Sequence, residues 1–375
     1  MKWRHAQFRE VVNSRGAGSR GLPQSEWEEE GEYPVIGQGS DFIEGWTNRR
    51  DLLLTPKTAV VLYGGHTRRT KLVETPFVPG PNVKILEPEE GLSAKFLYHF
   101  LAQLPIESRG YADHFPEVRR CMVPLPPLPE QRRIAAVLDK ADDLRAKRRA
   151  ALAELDTLTQ SIFLDLFGDP KSSSWAMATV ADIVDEAEGG IRTGPFGSQL
   201  LHSEFSNTGV AVLGIDNAVA NEFRWNERRF ISESKYRQLK RYTVRPGDVL
   251  ITIMGTCGRC AVVPDDIPIA INTKHLCCIT LNQTKCLPLF LHAYFLQHPI
   301  ARKYLNQTAK GAIMSGLNMG IIKQMPVPLP PLELQHDFTR RVTAIKALKS
   351  KHRTALAELD ALFASLQHRA FSGQL

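Results

Sequence analysis

At 375 residues, with 43% apolar and 23% charged side chains, the chain is long enough for two or three domains with real cores and too apolar to be disordered. Lys and Arg outnumber Asp and Glu by 47 to 40, a balance compatible with a polyanionic partner. No stretch approaches the ~18 apolar residues of a membrane helix, and Met1-Lys2-Trp3-Arg4-His5 leads into no apolar core, so the expected compartment is the cytoplasm, where six cysteines stay reduced.

In chain order, the first block runs to about Arg120. Gly16-Ala17-Gly18-Ser19-Arg20-Gly21 has the spacing of a dinucleotide fingerprint, but Pro23 follows where a helix should open, so it reads as a flexible loop. Short strands are expected over 41–46, 59–63 and 82–86, then an apolar helix over 94–101. The block begins abruptly, and reduced or absent first strands are one expectation for it. Val123-Pro124-Leu125-Pro126-Pro127-Leu128 then acts as a brake. Pro129 and Glu130 are helix-start signals, and no glycine or proline interrupts before Gly168, giving about 38 residues and roughly 57 Å of helix. Leu144, Ala151, Leu155, Leu158 and Ile162 mark its seam. The second block, about 171–323, predicts strands over 210–215, 249–254 and 275–281 and a helix over 287–295.

Residues 327–332 then repeat Val-Pro-Leu-Pro-Pro-Leu, and Ala355-Leu356-Ala357-Glu358-Leu359-Asp360 repeats Ala151 to Asp156, at a constant offset of 204 without a gap; 19 of 45 positions agree. The chain is a tandem duplication of a scaffold around two unlike blocks. The second seam is Leu348, Ala355, Leu359, Leu362 and Leu366. Two alike seams, too narrow for a globular core, predict an antiparallel helix pair. Support helices internal to each domain are the alternative.

Chemistry-bearing motifs are sparse. There is no Gly-x-x-x-x-Gly-Lys-Ser/Thr cradle, Pro126-Pro127 and Pro330-Pro331 follow Leu rather than Asn or Asp, and Pro264-Asp265 has no acidic-x-Lys downstream. Cys257 and Cys260 have zinc-knuckle spacing, but adjacent Cys277 and Cys278 should face opposite sides of a strand. No catalytic residues and no metal site are expected. Candidate polyanion contacts are Arg49, Arg50, Arg68, Arg69 and Lys71 in the first block, and Arg192, Arg224, Arg228, Arg229, Lys235, Arg237, Lys240 and Arg241 in the second. Gly194 and Ser198 lie in the Gly-Pro-Phe-Gly-Ser loop and Lys310-Gly311 in another. For any one of these a solvated charge or a plain turn is the competing reading.

Two variable blocks, each followed by Pro-Leu-Pro-Pro-Leu, a Glu-Gln or its trace (Glu130-Gln131; Glu333, Gln335) and a long helix, resemble the specificity (S) subunit of type I restriction-modification systems. Gly194 to Ser198, Pro246 to Leu250 and Gly37-Gln38-Gly39 resemble elements of that family's target recognition domains. The resemblance implies an α+β chain with two diverged target recognition domains separated by two long antiparallel repeat helices, a coiled-coil spacer with pseudo-two-fold symmetry. The expected segments are 1–122 (recognition domain 1), 123–170 (Pro-rich segment and helix), 171–326 (recognition domain 2) and 327–375 (second segment and helix). It implies a non-catalytic reader of a bipartite asymmetric site in double-stranded DNA, held by two modification subunits and by restriction subunits. S-adenosylmethionine, ATP and Mg²⁺ would belong to those partners. A protein-only scaffold, a methylation-only system and an enzyme with an unrecognised site are the alternatives.

Overall fold

The computed structural model describes residues 3–168, 175–226, 228–309 and 317–375, so the Lys310-Gly311 loop lies outside the described residues. The chain divides into two compact units, Met1–Ala150 with His352–Leu375, and Ala151–Lys351. Two short helices, α1 (Ala94–Ala102) and α3 (Pro288–Gln297), and two long ones, α2 (Leu128–Phe167) and α4 (Leu332–Phe371), carry the cores. Each long helix has 40 residues, about 60 Å at ~1.5 Å per residue.

In the first unit β1 (Arg4–Gln7) pairs antiparallel with β9 (Met122–Leu125), Arg4 opposite Leu125. The proline brake is thus partly a strand; Pro124 is tolerated because a two-stranded ribbon is all edge. β2 (Val12–Gly16), β8 (Val83–Pro88), β5 (Val60–Gly64) and β6 (Thr70–Val73) form a sheet in that order. A second sheet has the order β4 (Gly45–Thr47), β3 (Tyr33–Ile36), β7 (Val78–Pro79), with β3 and β7 parallel. Phe96, Leu97, Phe100 and Leu101 of α1 pack on Val61, Tyr63 and Leu86 and on Ile134 and Leu138 of α2; Ala370 of α4 completes this core.

The second unit follows the same plan. β10 (Ala176–Thr179) pairs with β20 (Pro326–Leu329), as β1 does with β9. One sheet runs β11 (Ile191–Thr193), β19 (Leu276–Ile279), β16 (Val249–Thr252), β17 (Cys260–Val262). The other runs β12 (Phe205–Ser206), β14 (Phe230–Ile231), β13 (Val210–Leu213), β18 (Ala270–Asn272), β15 (Thr243–Val244), and its β13 and β18 are parallel. Among the described residues the first unit has no counterpart of β12, β15 or the helix Glu233–Leu239, which makes it the shorter, whereas its opening strand is present. Cys277 enters the core with Phe163, Phe290 and Phe338, while Cys278 enters the one with Leu213, Leu250 and Ala270, the opposite facing that strand alternation demands.

The long helices pair antiparallel within each unit. Arg145 Nε donates to Asp360 Oδ1 at 2.5 Å and its guanidinium stacks 4.2 Å from the Phe363 ring; in the second unit Lys349 Nζ lies 2.7 Å from Asp156 Oδ1. Positions 145 and 349, like 156 and 360, are duplicates, so the two units repeat one ion pair. Arg148 meets His352, its own duplicate, at 3.3 Å. The expected seam is corrected by one residue on one flank. Leu155, Ile162, Leu359 and Leu366 are half-buried, but Leu144, Leu158, Leu348 and Leu362 are 42%, 44%, 42% and 51% exposed. The inward positions beside them are Arg145, Thr159, Lys349 and Phe363, a strict 3,4 spacing whose polar members apolar periodicity cannot register. Among the described residues no helix is long and apolar enough to cross a membrane, and no cluster of His, Cys, Asp or Glu could hold a metal ion.

Candidate nucleic-acid interface

Each block is fixed to its long helix by one buried glutamine. Gln131 Nε2 donates to Pro126 O at 2.9 Å and to Gly91 O at 2.8 Å, while its Oε1 accepts the Ser93 N–H at 2.8 Å. Gln335 Nε2 donates to Pro330 O at 2.9 Å and Lys285 O at 3.3 Å, and its Oε1 accepts the Leu287 N–H at 2.9 Å. Ser93 and Leu287 are the N-caps of α1 and α3, so each glutamine holds the start of a short helix that underlies its sheet. The repeat keeps this residue in register, with Leu334 where the first copy has Glu130.

The basic candidates fall into two sets. Two are spent inside the fold, a correction to their reading as surface contacts. Lys71 is 7% exposed and ion-paired with Glu44 at 2.5 Å while donating to Asp41 O. Arg192 reaches Asp248 at 2.8 Å, with further bonds to Thr280 Oγ1 and Thr243 O, which ties β11 to the turn before β16. Both charges neutralise carboxylates held in the fold, Glu44 at 13% and Asp248 at 1% exposed, which would be costly to cover unpaired. Lys235 is mostly covered by its contact with Glu204 at 2.7 Å. Arg49 forks onto Asp51 at 2.9 and 2.8 Å on the surface, Arg50 and Arg69 are exposed, and Arg68 donates to Ile106 O. Arg224 is loosely paired with Glu222 at 3.7 Å, and Arg228 stacks 5.6 Å from the Trp225 ring. Ser198 is exposed in a 3₁₀ turn. Gly194 is needed for packing: a Cβ there would collide with the backbone of Asn272 and Thr273.

In both units the loops after the parallel strand pair cluster with the turn after the central strand. In the first, Gln38 Oε1 accepts the His66 N–H at 3.2 Å, Gln38 O accepts the Thr67 hydroxyl at 2.6 Å, and Gly65 N–H bonds Asn82 O at 3.1 Å. His66 stacks on Tyr111 at 4.2 Å, and Tyr111 is 80% exposed beside Phe42-bearing and Arg68-bearing loops linked through Gln38. In the second, the Thr273 N–H bonds Leu213 O at 2.9 Å, Ile253 N–H bonds His275 O at 2.9 Å, and Arg229 pairs with Asp216 across Gly214. Burial and the charges of Lys274 and Arg229 push the His275 imidazole below its ordinary range. An aromatic and basic rim of this kind suits base edges and phosphates.

Two stretches of the chain, residues 2–154 and 199–359, match the model of the type I restriction modification DNA specificity domain. The chain belongs to this family. Among curated relatives of the specificity family, the EcoBI specificity subunit of Escherichia coli is 28% identical over 283 residues, 68% of this chain and 58% of that protein. The chain therefore spans less than two thirds of the length of that relative. The MjaVIII specificity subunit of Methanocaldococcus jannaschii is 20% identical, covering 92% of this chain and 87% of its own. An S subunit structure from M. genitalium superposes with a TM-score of 0.64 at 16% identity, covering 98% and 96% of the two chains. A chain from a type I R-M system structure concerned with complex assembly and conformational transition gives 0.53 at 18% identity, covering 97% and 98%. These likenesses establish the specificity-subunit fold. Sequence reasoning named Gln131 and Gln335 only as part of the resemblance and missed their clamping role, and it missed the Asp216, His66 and Tyr111 rim residues, for which only the folded loops give a signal.

Proposed function

We propose that the chain is the DNA-reading subunit of a type I restriction-modification complex, in which each unit reads one half of a bipartite asymmetric site in double-stranded DNA. The observation that carries this reading is the duplication itself: one strand order and one glutamine clamp, twice, bearing rims of different chemistry. The exposed candidates Arg49, Arg50, Arg68, Arg69, Arg224 and Arg228, with Ser198, are the proposed DNA contacts. Of the initial candidates, Lys71 and Arg192 are left out, and Lys235 contributes little. The paired helices fix the gap between half-sites. Two modification subunits and the restriction subunits are the proposed partners, in the cytoplasm, and they supply S-adenosylmethionine, ATP and Mg²⁺ chemistry. The chain itself carries no catalytic step.

The test is co-expression with the modification subunit and mapping of methylated adenines across the host genome. Methylation confined to one bipartite motif with a constant gap is the expected result. A complex that forms without any motif would refute the reading in favour of a protein-only scaffold.

A further inference from the structure

We propose that Asp216 and Arg229 form the specificity-determining contact of the second unit and read a G·C base pair in the major groove. The inference rests on the DNA-reading function above and names the residues that would perform it. Asp216 follows β13 and Arg229 precedes β14, so both stand where the parallel strands of the second sheet end. The guanidinium lies over Gly214, where a Cβ would come within 2.5 Å of its Nη2, so the glycine makes room for the side chain. The two are ion-paired, with side chains 29% and 30% exposed.

The pair is not saturated. Asp216 Oδ2 and Arg229 Nε have no hydrogen-bond partner among the described residues. Native folds leave few such atoms, because each costs free energy that packing must offset. The structural pair of Arg192 and Asp248 is covered instead, its side chains only 10% and 1% exposed. The guanidinium fork matches guanine O6 and N7, and a carboxylate accepts from the cytosine amino group, so together they complement both members of one pair. In the first unit the loop after β3 holds Glu44 against Gly37 and Gly39 and pairs it with Lys71, but those side chains are only 13% and 8% exposed, so that pair is closed where Asp216 and Arg229 stand open.

The experiment compares motifs methylated by complexes containing the wild-type chain, Asp216→Asn, Arg229→Gln and the double variant, with Arg302→Ala and Lys303→Ala, exposed cations of the same unit outside the proposed contacts, as controls. The expected result is loss of G·C preference at one position of one half-site, by about tenfold or more, with the other half and the gap unchanged. An unaltered motif in the double variant, or the same relaxation in both controls, would overturn the proposal. If the double variant does not fold, Arg229→Lys decides: it keeps the ion pair and loses the planar fork, so an undiminished G·C preference overturns it too. A wild-type complex with no bipartite motif would instead remove the DNA-reading function itself.

Discussion

Replacing Gln335 by Leu keeps the side chain's bulk and removes every polar atom from one clamp. The N–H of Leu287 and the C=O of Pro330, both on buried residues, lose their partners, whereas Lys285 is exposed and its carbonyl regains water. At about 1–3 kcal/mol for each orphaned buried group, the second unit should lose about 2–6 kcal/mol. That is a large share of the ~5–15 kcal/mol that holds a typical domain. Because the two units need not unfold together, the assay is amide hydrogen exchange read peptide by peptide in graded urea. Peptides covering 285–297 should exchange faster by roughly two orders of magnitude or more, while those covering 91–102 in the first unit stay protected. Gln131→Leu should give the reverse pattern. A loss under about 1 kcal/mol, or equal loss in both units, would refute the view that each glutamine supports its own block.

Other expectations are equally direct. Asp360→Ala removes the partner of Arg145 and Arg149 and should destabilise the first unit by about 1 kcal/mol, since the carboxylate is 43% exposed and screened; a double-mutant cycle with Arg145→Ala should recover most of it as coupling energy. Gly194→Ala forces a Cβ into the backbone of Asn272 and Thr273 and should leave little folded protein, whereas Gly197→Ala, at φ +56 with no atom within 4 Å, should cost only about 1 kcal/mol in a urea titration. Burial pushes the His292 and His298 imidazoles below their ordinary 6.5. The unfolded chain therefore takes up protons that the folded one refuses, so their contribution is complete above about pH 6.5 and declines as pH falls below it. Urea midpoints of the second unit at pH 7.5 and 5.5 should show that decline, and His292→Gln, which keeps a donor for Asn221 O and Cys260 O, should reduce it.

The sequence made the duplication, the long helices and most central strands legible, because gapless repetition, interrupted proline and β-branched runs are local signals. β16, β19 and both short helices fall within the expected segments or a residue or two beyond them. What stayed hidden depends on distant partners. Arg145 sits in the helix seam only because Asp360 and Phe363 receive it, and leucine spacing alone pointed to Leu144. Lys71 and Arg192 read as surface charges until Glu44 and Asp248 are brought beneath them. Strands as short as β11 and β18 owe their state to neighbours, not to their own three residues.

The glutamine clamps also bear on how such a chain can change. On the block side they touch only main-chain atoms: Gly91 O and the Ser93 N–H in one unit, Lys285 O and the Leu287 N–H in the other. The polar part of the socket grips backbone alone, leaving the demand on side chains to the apolar contacts around it. Any block presenting a carbonyl and an amide two residues apart ahead of its short helix meets the same grip, while the apolar face of that helix must still fit the long one, as Phe96 fits Ile134 and Phe290 fits Phe163.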